Sequence, residues 1–118
     1  MNQFFGVGRL VEDPKVETTE SGKQMVRVPI AVQRSYKNAD GEYDTDFFDV
    51  VLWNGVATNT SEYCHKGDLI GVKGRLESNT YETEDGEKKK STYIVADKIS
   101  FLASKHHEQE NENDDLDM

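Results

Sequence analysis

Short runs with apolar residues at every second position recur along the chain, and turn-forming residues separate them. The clearest run is TDFFDVVLW at residues 45–53, in which both parities carry large apolar side chains. Because side chains alternate between the two faces of a strand, such runs indicate β-strands. The other runs begin at Phe4, Lys15, Met25, Leu69 and Thr92. The pattern predicts an all-β domain.

Only one segment, NGVATNTSEYCHKG, has apolar residues at helical spacing. We expect Asn54 to be its N-cap, Cys64 to lie on its buried face and Lys66 to lie in its last turn. Gly67 would follow just beyond the helix end. The element order of the longer runs is then three strands, one short helix and two strands.

This element order is that of the OB-fold, a five-stranded, partly open Greek-key barrel. A β-sandwich usually needs about seven strands, more than the sequence offers. From Lys105 onward, KHHEQENENDDLDM has too few apolar residues to offset the entropy of ordering. We therefore expect an OB-fold domain at residues 1–104 and a disordered acidic tail at residues 105–118. A tail that only improves solubility is the simpler alternative.

The net charge of −9 argues, taken alone, against a nucleic-acid partner. However, residues 105–118 hold one Lys and six Asp or Glu, so more than half of that charge lies in the predicted tail. The folded part is only mildly acidic, which leaves room for a basic groove.

The sequence lacks the signatures of enzymes and metal sites. It has no complete dinucleotide-binding glycine motif, no GK[ST] phosphate loop and no G-x-S-x-G elbow. Its three histidines do not combine with Cys64 at zinc-binding spacing. We therefore expect a binding protein without catalytic residues, metal or cofactor. The absence of a membrane-spanning or signal-peptide stretch and the single cysteine predict a cytoplasmic location without membrane contact.

Strand parity predicts which aromatic side chains point outward. In the third strand Phe48, Val50 and Leu52 suffice for an interior face, which leaves Phe47 and Trp53 outside. Exposed aromatic rings on one face are unfavourable unless they bind something. Nucleic-acid bases stack on such rings for about 1–3 kcal/mol each, with little regard to sequence. Packing in a core or a subunit interface is the alternative.

The fourth strand carries a second line of outward side chains. Its inward parity holds Ile70, Val72, Gly74 and Leu76, and its outward parity holds Lys73, Arg75, Glu77, Asn79 and Tyr81. Lys, Arg and Tyr suit phosphates and a base, whereas a solvated face is the alternative. We expect Gly74 and Gly8 to lie where a strand bends or where another backbone approaches closely.

Two basic clusters lie beside predicted turns. Arg34, Tyr36 and Lys37 place cation, aromatic ring and cation before the Asp40-Gly41 turn, which suits a single strand. An ordinary charged hairpin is the competing interpretation. The cluster at residues 88–90 is the densest and could bind phosphates, but the acidic residues around it favour a solvated loop, which is our prediction.

Several motifs in order make the chain similar to the bacterial and phage single-stranded DNA-binding protein family, over residues 1–103. They are GRLVEDP, SGKQMVRVPIAV, GEYDTDFFDVVLWNGVA, SEYCHKGDLIGVKGRLESNTYE and IVADKISFL. The resemblance implies an OB-fold that assembles as a homotetramer. It also implies sequence-independent binding and protection of single-stranded DNA in replication, recombination and repair.

The resemblance places the base-stacking positions of the family on Tyr36, Phe47, Trp53 and Tyr81, and a family lysine on Lys66. Parity adds Arg34, Lys73 and Arg75 as phosphate contacts. The predicted nucleic-acid-binding residues are Arg34, Tyr36, Lys37, Phe47, Trp53, Lys66, Lys73, Arg75 and Tyr81.

The chain departs from the family in two places. Basic residues that often precede the last stacking aromatic are replaced by Ser78-Asn79-Thr80, which predicts weaker DNA binding. The acidic tail lacks the usual Pro-Phe tip, which weakens the case for docking to host enzymes and favours a phage or mobile-element version. The candidate residues for binding replication and recombination proteins are Asp114, Asp115, Leu116, Asp117 and Met118.

Two rival functions use the same barrel. A protein–protein adaptor of a replication complex would bury the outward aromatic residues in a protein interface. An enzyme or an oligosaccharide-binding barrel would need a site of convergent polar groups, and the sequence contains no such site.

Overall fold

The computed structural model describes residues 1–105, which form five long strands, one two-residue strand and one helix. The elements are β1 (Phe4–Leu10), β2 (Glu17–Thr18), β3 (Gln24–Lys37), β4 (Tyr43–Trp53), α1 (Asn54–Tyr63), β5 (Leu69–Glu82) and β6 (Lys88–Ala103). In this range no helix has the length and hydropathy to cross a lipid bilayer. The predicted order, with a helix between the third and fourth long strands, is confirmed.

The sheet closes into a barrel. Its strand order is β1-β5-β6-β4-β3-β2, and β1 also pairs with β3 through Arg9↔Ala31 and Leu10↔Ile30. The β4–β6 pairing is parallel, whereas the other neighbouring strands are antiparallel. A closed barrel of five long strands with one short helix is an OB-fold, as predicted.

The core is built from the inward parity of each long strand, as the alternation predicts. Because apolar side chains gain stability in proportion to the area they remove from water, this parity fixes the register of the barrel. Ala57 and Cys64 join the core from α1 and the residue after it. The buried strand residues of this core are Leu10, Val26, Val28, Ile30, Val50, Leu52, Ile70, Val72, Ile94 and Ala96.

Three side chains differ in burial from what strand parity predicts. Phe48 and Leu76 were expected inside the barrel, but they are 37% and 44% exposed, and neither belongs to the core or to the side chains packed against it. The ring of Phe48 packs edge-on against Phe4, with centroids 6.1 Å apart. Val51 was expected outside but is buried, because Arg27 and Val95 flank it on the two neighbouring strands.

The ends of α1 differ from the prediction. Trp53, not Asn54, is the N-cap, and Asn54 has a φ of 52°, a left-handed conformation that Asn tolerates better than most residues. The helix ends at Tyr63, so Lys66 lies beyond its last turn. Cys64 is the C-cap, and its backbone N–H donates to the Thr60 carbonyl at 2.9 Å. It is buried as predicted, and this burial raises the pKa of its thiol.

Gly8 and Gly74 lie where two backbones approach closely, as predicted. A Cβ atom on Gly8 would lie 2.8 Å from the Ala31 carbonyl oxygen, and one on Gly74 would collide with the Val95 carbonyl. These contacts let β1 lie against β3 and let β5 lie against β6. Larger residues would push these strands apart.

The hairpin between β5 and β6 is shorter than predicted. The Thr83 N–H donates to the Glu87 carbonyl at 2.8 Å, and Gly86 takes the positive φ that the turn requires. The lysines at residues 88–90 therefore belong to β6, and the solvated-loop prediction for them is wrong. Pairing with residues 80–82 of β5 extends the strand through them.

Candidate nucleic-acid interface

The outer side of β4 carries two exposed aromatic rings. Phe47 is 66% exposed and Trp53 is 37% exposed. They share one parity and lie six residues apart, so about 20 Å of strand separates them. The outward placement predicted from parity is confirmed, whereas their role as stacking platforms stays a prediction.

Register extends this side of the sheet over four strands. Val51 of β4 lies opposite Arg27 of β3 and beside Val95 of β6, and Val95 lies opposite Arg75 of β5. Residues directly opposite each other in a sheet project from the same side. We call this surface the aromatic face. Its members are Arg27, Phe47, Asp49, Val51, Trp53, Arg75, Glu77, Asn79, Tyr81, Lys89, Ser91, Tyr93 and Val95.

A chain of polar contacts crosses the aromatic face between Phe47 and Trp53. Arg27 donates from Nη2 to Asp49 Oδ2 at 3.0 Å, and its guanidinium lies 5.6 Å from the ring centroid of Tyr93. The Tyr93 hydroxyl donates to Glu77 Oε1 at 3.4 Å. The middle of the face is thus polar and internally paired.

Arg75 lies at the far end of this chain and contacts two carboxylates. Its Nε donates to Glu77 Oε2 at 2.8 Å, and its Nη1 donates to Asp97 Oδ1 at 3.2 Å. A phosphate approaching Arg75 therefore meets a guanidinium whose charge is already balanced. The predicted position on the outer side is confirmed, but two carboxylates accompany it.

Arg34 is also held by carboxylates, on the opposite side of the β3–β4 hairpin from Phe47. Its Nε and Nη2 donate to the two carboxylate oxygens of Asp46 at 3.0 and 2.9 Å, and Asp44 lies 3.8 Å away. Hydrogen bonds from Arg34 lower the pKa of Asp46, and the same contacts raise the pKa of Arg34. This bidentate pair fixes Arg34.

Tyr36 lies beside this pair. The Arg34 guanidinium lies 6.0 Å from the centre of the Tyr36 ring, and Arg34 Nη1 donates to the Tyr36 hydroxyl at 3.4 Å. The ring remains 62% exposed. The β3–β4 register shifts between Gln33 and Lys37, so strand parity does not fix the direction of this segment. Arg34 and Tyr36 form a platform separate from the aromatic face.

Two predicted lysines lie over aromatic rings. Lys37 Nζ is 5.9 Å from the centroid of Tyr43, its cross-strand partner. Lys73 Nζ is 5.8 Å from the centroid of Phe5 in the same kind of pair. Such contacts contribute about 0.5–1 kcal/mol at exposed sites and leave the positive charge in place. These cations remain available to an anion.

Lys66 is separate from both surfaces. It lines a mixed-charge cleft of about 350 Å³ with Glu12, Asp13, Lys15, Glu17 and Arg27. Its backbone N–H donates to Asp13 Oδ1 at 2.7 Å. Of the residues that line this cleft, Arg27 is the one that also belongs to the aromatic face.

Comparison with known proteins decides the family. The model of the "Single-strand binding protein family" matches residues 1–102 of this chain. The chain belongs to the single-strand binding protein (SSB) family. The described SSB barrel and the matched residues thus cover almost the same range.

Curated relatives agree with the SSB assignment. The chain is 42% identical over 108 residues to "Single-stranded DNA-binding protein B" of Bacillus subtilis, covering 92% of this chain and 96% of that protein. It is 40% identical over 106 residues to "Single-stranded DNA-binding protein 1" of Staphylococcus aureus, covering 90% of this chain and 68% of that protein. Similarity extends over most of each sequence.

The SSB barrel also presents residues that sequence reasoning missed. Tyr43 shares the parity of Phe47 and is exposed, so extending the alternation two positions before residue 45 would have found it. Arg27 and Tyr93 reach the aromatic face through register that parity within one strand does not reveal. Within residues 1–105 no three metal-ligating side chains cluster. The candidate tail residues Asp114–Met118 lie outside the described residues.

Proposed function

We propose that this chain binds single-stranded DNA without sequence preference and protects it during replication, recombination and repair. The observation that carries the proposal is the aromatic face, on which Phe47, Trp53 and Tyr81 project from one side of a closed barrel. SSB family membership and relatives named single-stranded DNA-binding proteins support it. The proposed activity is binding alone, without a chemical step.

Base stacking provides the sequence-tolerant part of the affinity. Bases stack on Phe47, Trp53 and Tyr81 along the aromatic face and on Tyr36 at the neighbouring hairpin. Each stacked base contributes about 1–3 kcal/mol, and every base has a π-face to offer. The exposure of these four rings supports the assignment, because an exposed ring can accept a base without opening the core.

Cations neutralise the phosphates between these platforms. Lys37 and Lys73 do so directly, since among the described residues their ammonium groups contact aromatic rings and not carboxylates. Arg34 and Arg75 contribute less, because a phosphate must compete with Asp46 or with Glu77 and Asp97. From its cleft, Lys66 contacts the phosphates of DNA that leaves the aromatic face. Each phosphate neutralised adds about −0.7 to the slope of log affinity against log salt.

We also propose a homotetramer of these barrels, working in the cytoplasm of a bacterium or of a phage-infected cell. Membership of the SSB family supports both statements. Exposed apolar side chains of β1 and the end of β6, such as Val7, Phe101 and Leu102, offer surface for contacts between subunits. The acidic tail at residues 105–118 is proposed to bind replication and recombination proteins.

The test is a binding comparison with labelled oligonucleotides. Fluorescence anisotropy should give similar affinities for oligo(dT) and for mixed-sequence single strands, and much weaker affinity for duplex DNA. Equal affinity for duplex and single strands would contradict the proposal. Gel filtration with mass measurement gives the oligomeric state in the same samples. Elution unchanged by saturating DNA would favour the alternative of a protein–protein adaptor.

A further inference from the structure

The start of β6 holds the densest group of cations in residues 1–105, and none of the assigned DNA contacts includes it. Lys88, Lys89 and Lys90 pair with Glu82, Tyr81 and Thr80 of β5. The residues that precede Tyr81 along β5 are Ser78, Asn79 and Thr80, which carry no charge. Cations thus lie across the ladder from Tyr81, whereas the three residues directly before Tyr81 on its own strand carry none.

Register separates these three lysines by side of the sheet. The β5–β6 ladder runs without a shift from Gly74↔Ala96 to Glu82↔Lys88. Lys89 lies directly opposite Tyr81 and therefore projects from the aromatic face, while Lys88 and Lys90 project from the other side. Side chains directly opposite each other have Cβ atoms about 5 Å apart. Only Lys89 is a neighbour of the Tyr81 ring on the same side.

In the part of the chain that the structure describes, no carboxylate balances the charge of Lys89. Arg27 and Arg75, the arginines of the aromatic face, each contact a carboxylate. Within residues 1–105 Lys89 has no ion pair, and its own ladder neighbour on the aromatic face is an uncharged tyrosine. On the other side, Lys88 lies opposite Glu82. An unpaired ammonium beside an exposed ring is suited to a phosphate attached to a stacked nucleoside.

We propose that Lys89 is a DNA-binding residue that holds the phosphate of the nucleotide whose base stacks on Tyr81. The proposal rests on the proposed single-strand binding function. Lys89 on β6 thereby supplies, beside Tyr81, the positive charge that residues 78–80 of β5 lack. Exposure of Tyr81 and of Lys89 leaves this pair open to a strand that runs along the aromatic face.

The chain offers a matched control for testing Lys89. Lys89→Ala and Lys90→Ala remove the same charge from adjacent positions of one strand, but from opposite sides of the sheet. Binding of the full chain to a short labelled oligo(dT) is measured at several salt concentrations. We expect Lys89→Ala to reduce the magnitude of the log–log salt slope by about 0.7. Affinity at low salt should fall several-fold, while Lys90→Ala keeps the wild-type slope.

The outcomes separate this proposal from the function on which it rests. Wild-type protein that does not bind oligo(dT) contradicts single-strand binding and the role of Lys89 together. Wild-type binding with equal slopes for both variants contradicts only the role of Lys89. Lys89→Arg should keep the wild-type slope, because the charge remains at that position. Equal thermal melting of all variants shows that a change in slope does not come from unfolding.

Discussion

The Arg34 guanidinium and the Asp46 carboxylate form a bidentate pair, with N···O distances of 3.0 and 2.9 Å. Bidentate pairs have a fixed geometry that single-point contacts lack. Arg34 therefore holds a defined position beside the Tyr36 ring, and its charge is balanced before DNA arrives. The pair makes Arg34 better suited to positioning Tyr36 than to binding a phosphate.

Removing the Asp46 charge should make Arg34 available to DNA. In Asp46→Asn the guanidinium loses its strongest partner, so we expect tighter binding to oligo(dT) at low salt and a salt slope steeper by about 0.7. Asp40→Asn is the control, because it removes the same charge from the nearby turn and Asp40 has no contact with Arg34 in the described structure. Equal changes in both variants would show that only overall charge matters.

Because of the Arg34–Asp46 pair, the stability of the fold should vary with pH in the acid range. Arg34 lowers the pKa of Asp46 in the folded state. The pair therefore stabilises the fold above the unfolded pKa of about 3.9, and that contribution is lost as the pH falls through the folded value. Melting of wild type and Asp46→Asn should differ by a constant amount above about pH 5 and converge as the pH falls below about 3.9 and through the lower pKa of the folded state. A difference that persists in acid would contradict this role.

Close backbone contact at Gly74 should make even a methyl group costly. In Gly74→Ala the new Cβ collides with the Val95 carbonyl, which must shift together with β6. We expect a loss of about 1–3 kcal/mol in the free energy of unfolding, measured in urea. Gly55→Ala is the matched control, because a Cβ at this helical position meets nothing within 4 Å. That variant should be neutral or more stable, and a comparable loss there would contradict the steric explanation.

Deleting residues 106–118 should strengthen DNA binding at low salt. The deleted segment carries six Asp or Glu and no Lys or Arg, so its charge competes with DNA for the cations of the barrel. The screening length falls to about 3 Å at 1 M salt, where the full chain and the deletion variant should bind DNA equally. Equal affinity at low salt would contradict a role of the tail in DNA binding.

Alternation predicted the outward aromatic residues because it depends only on the geometry of one strand. Phe47, Trp53 and Tyr81 are exposed where parity places them. Parity alone does not say how far the interior extends, so burial near the ends of the core does not follow from it. Phe48 and Leu76 have the inward parity but remain partly exposed.

Pairing between strands could not be predicted in the same way. The contact between Arg34 and Asp46 lies beside a register shift in the β3–β4 ladder, and no sequence pattern marks that shift. Lys89 was expected in a loop because it lies beside a predicted turn and among acidic residues. Cross-strand pairing with Tyr81 extends β6 through Lys89 and brings the lysine to the aromatic face.

The most direct test of the central claim uses Trp53, the single tryptophan of the chain. Its indole is partly exposed on the aromatic face, so a base can stack on it without unfolding the barrel. Titration with oligo(dT) should strongly quench its emission, with a midpoint that matches the anisotropy of a labelled strand. Unchanged emission at DNA concentrations that saturate the anisotropy would contradict stacking on Trp53 and the proposed path of DNA over this face.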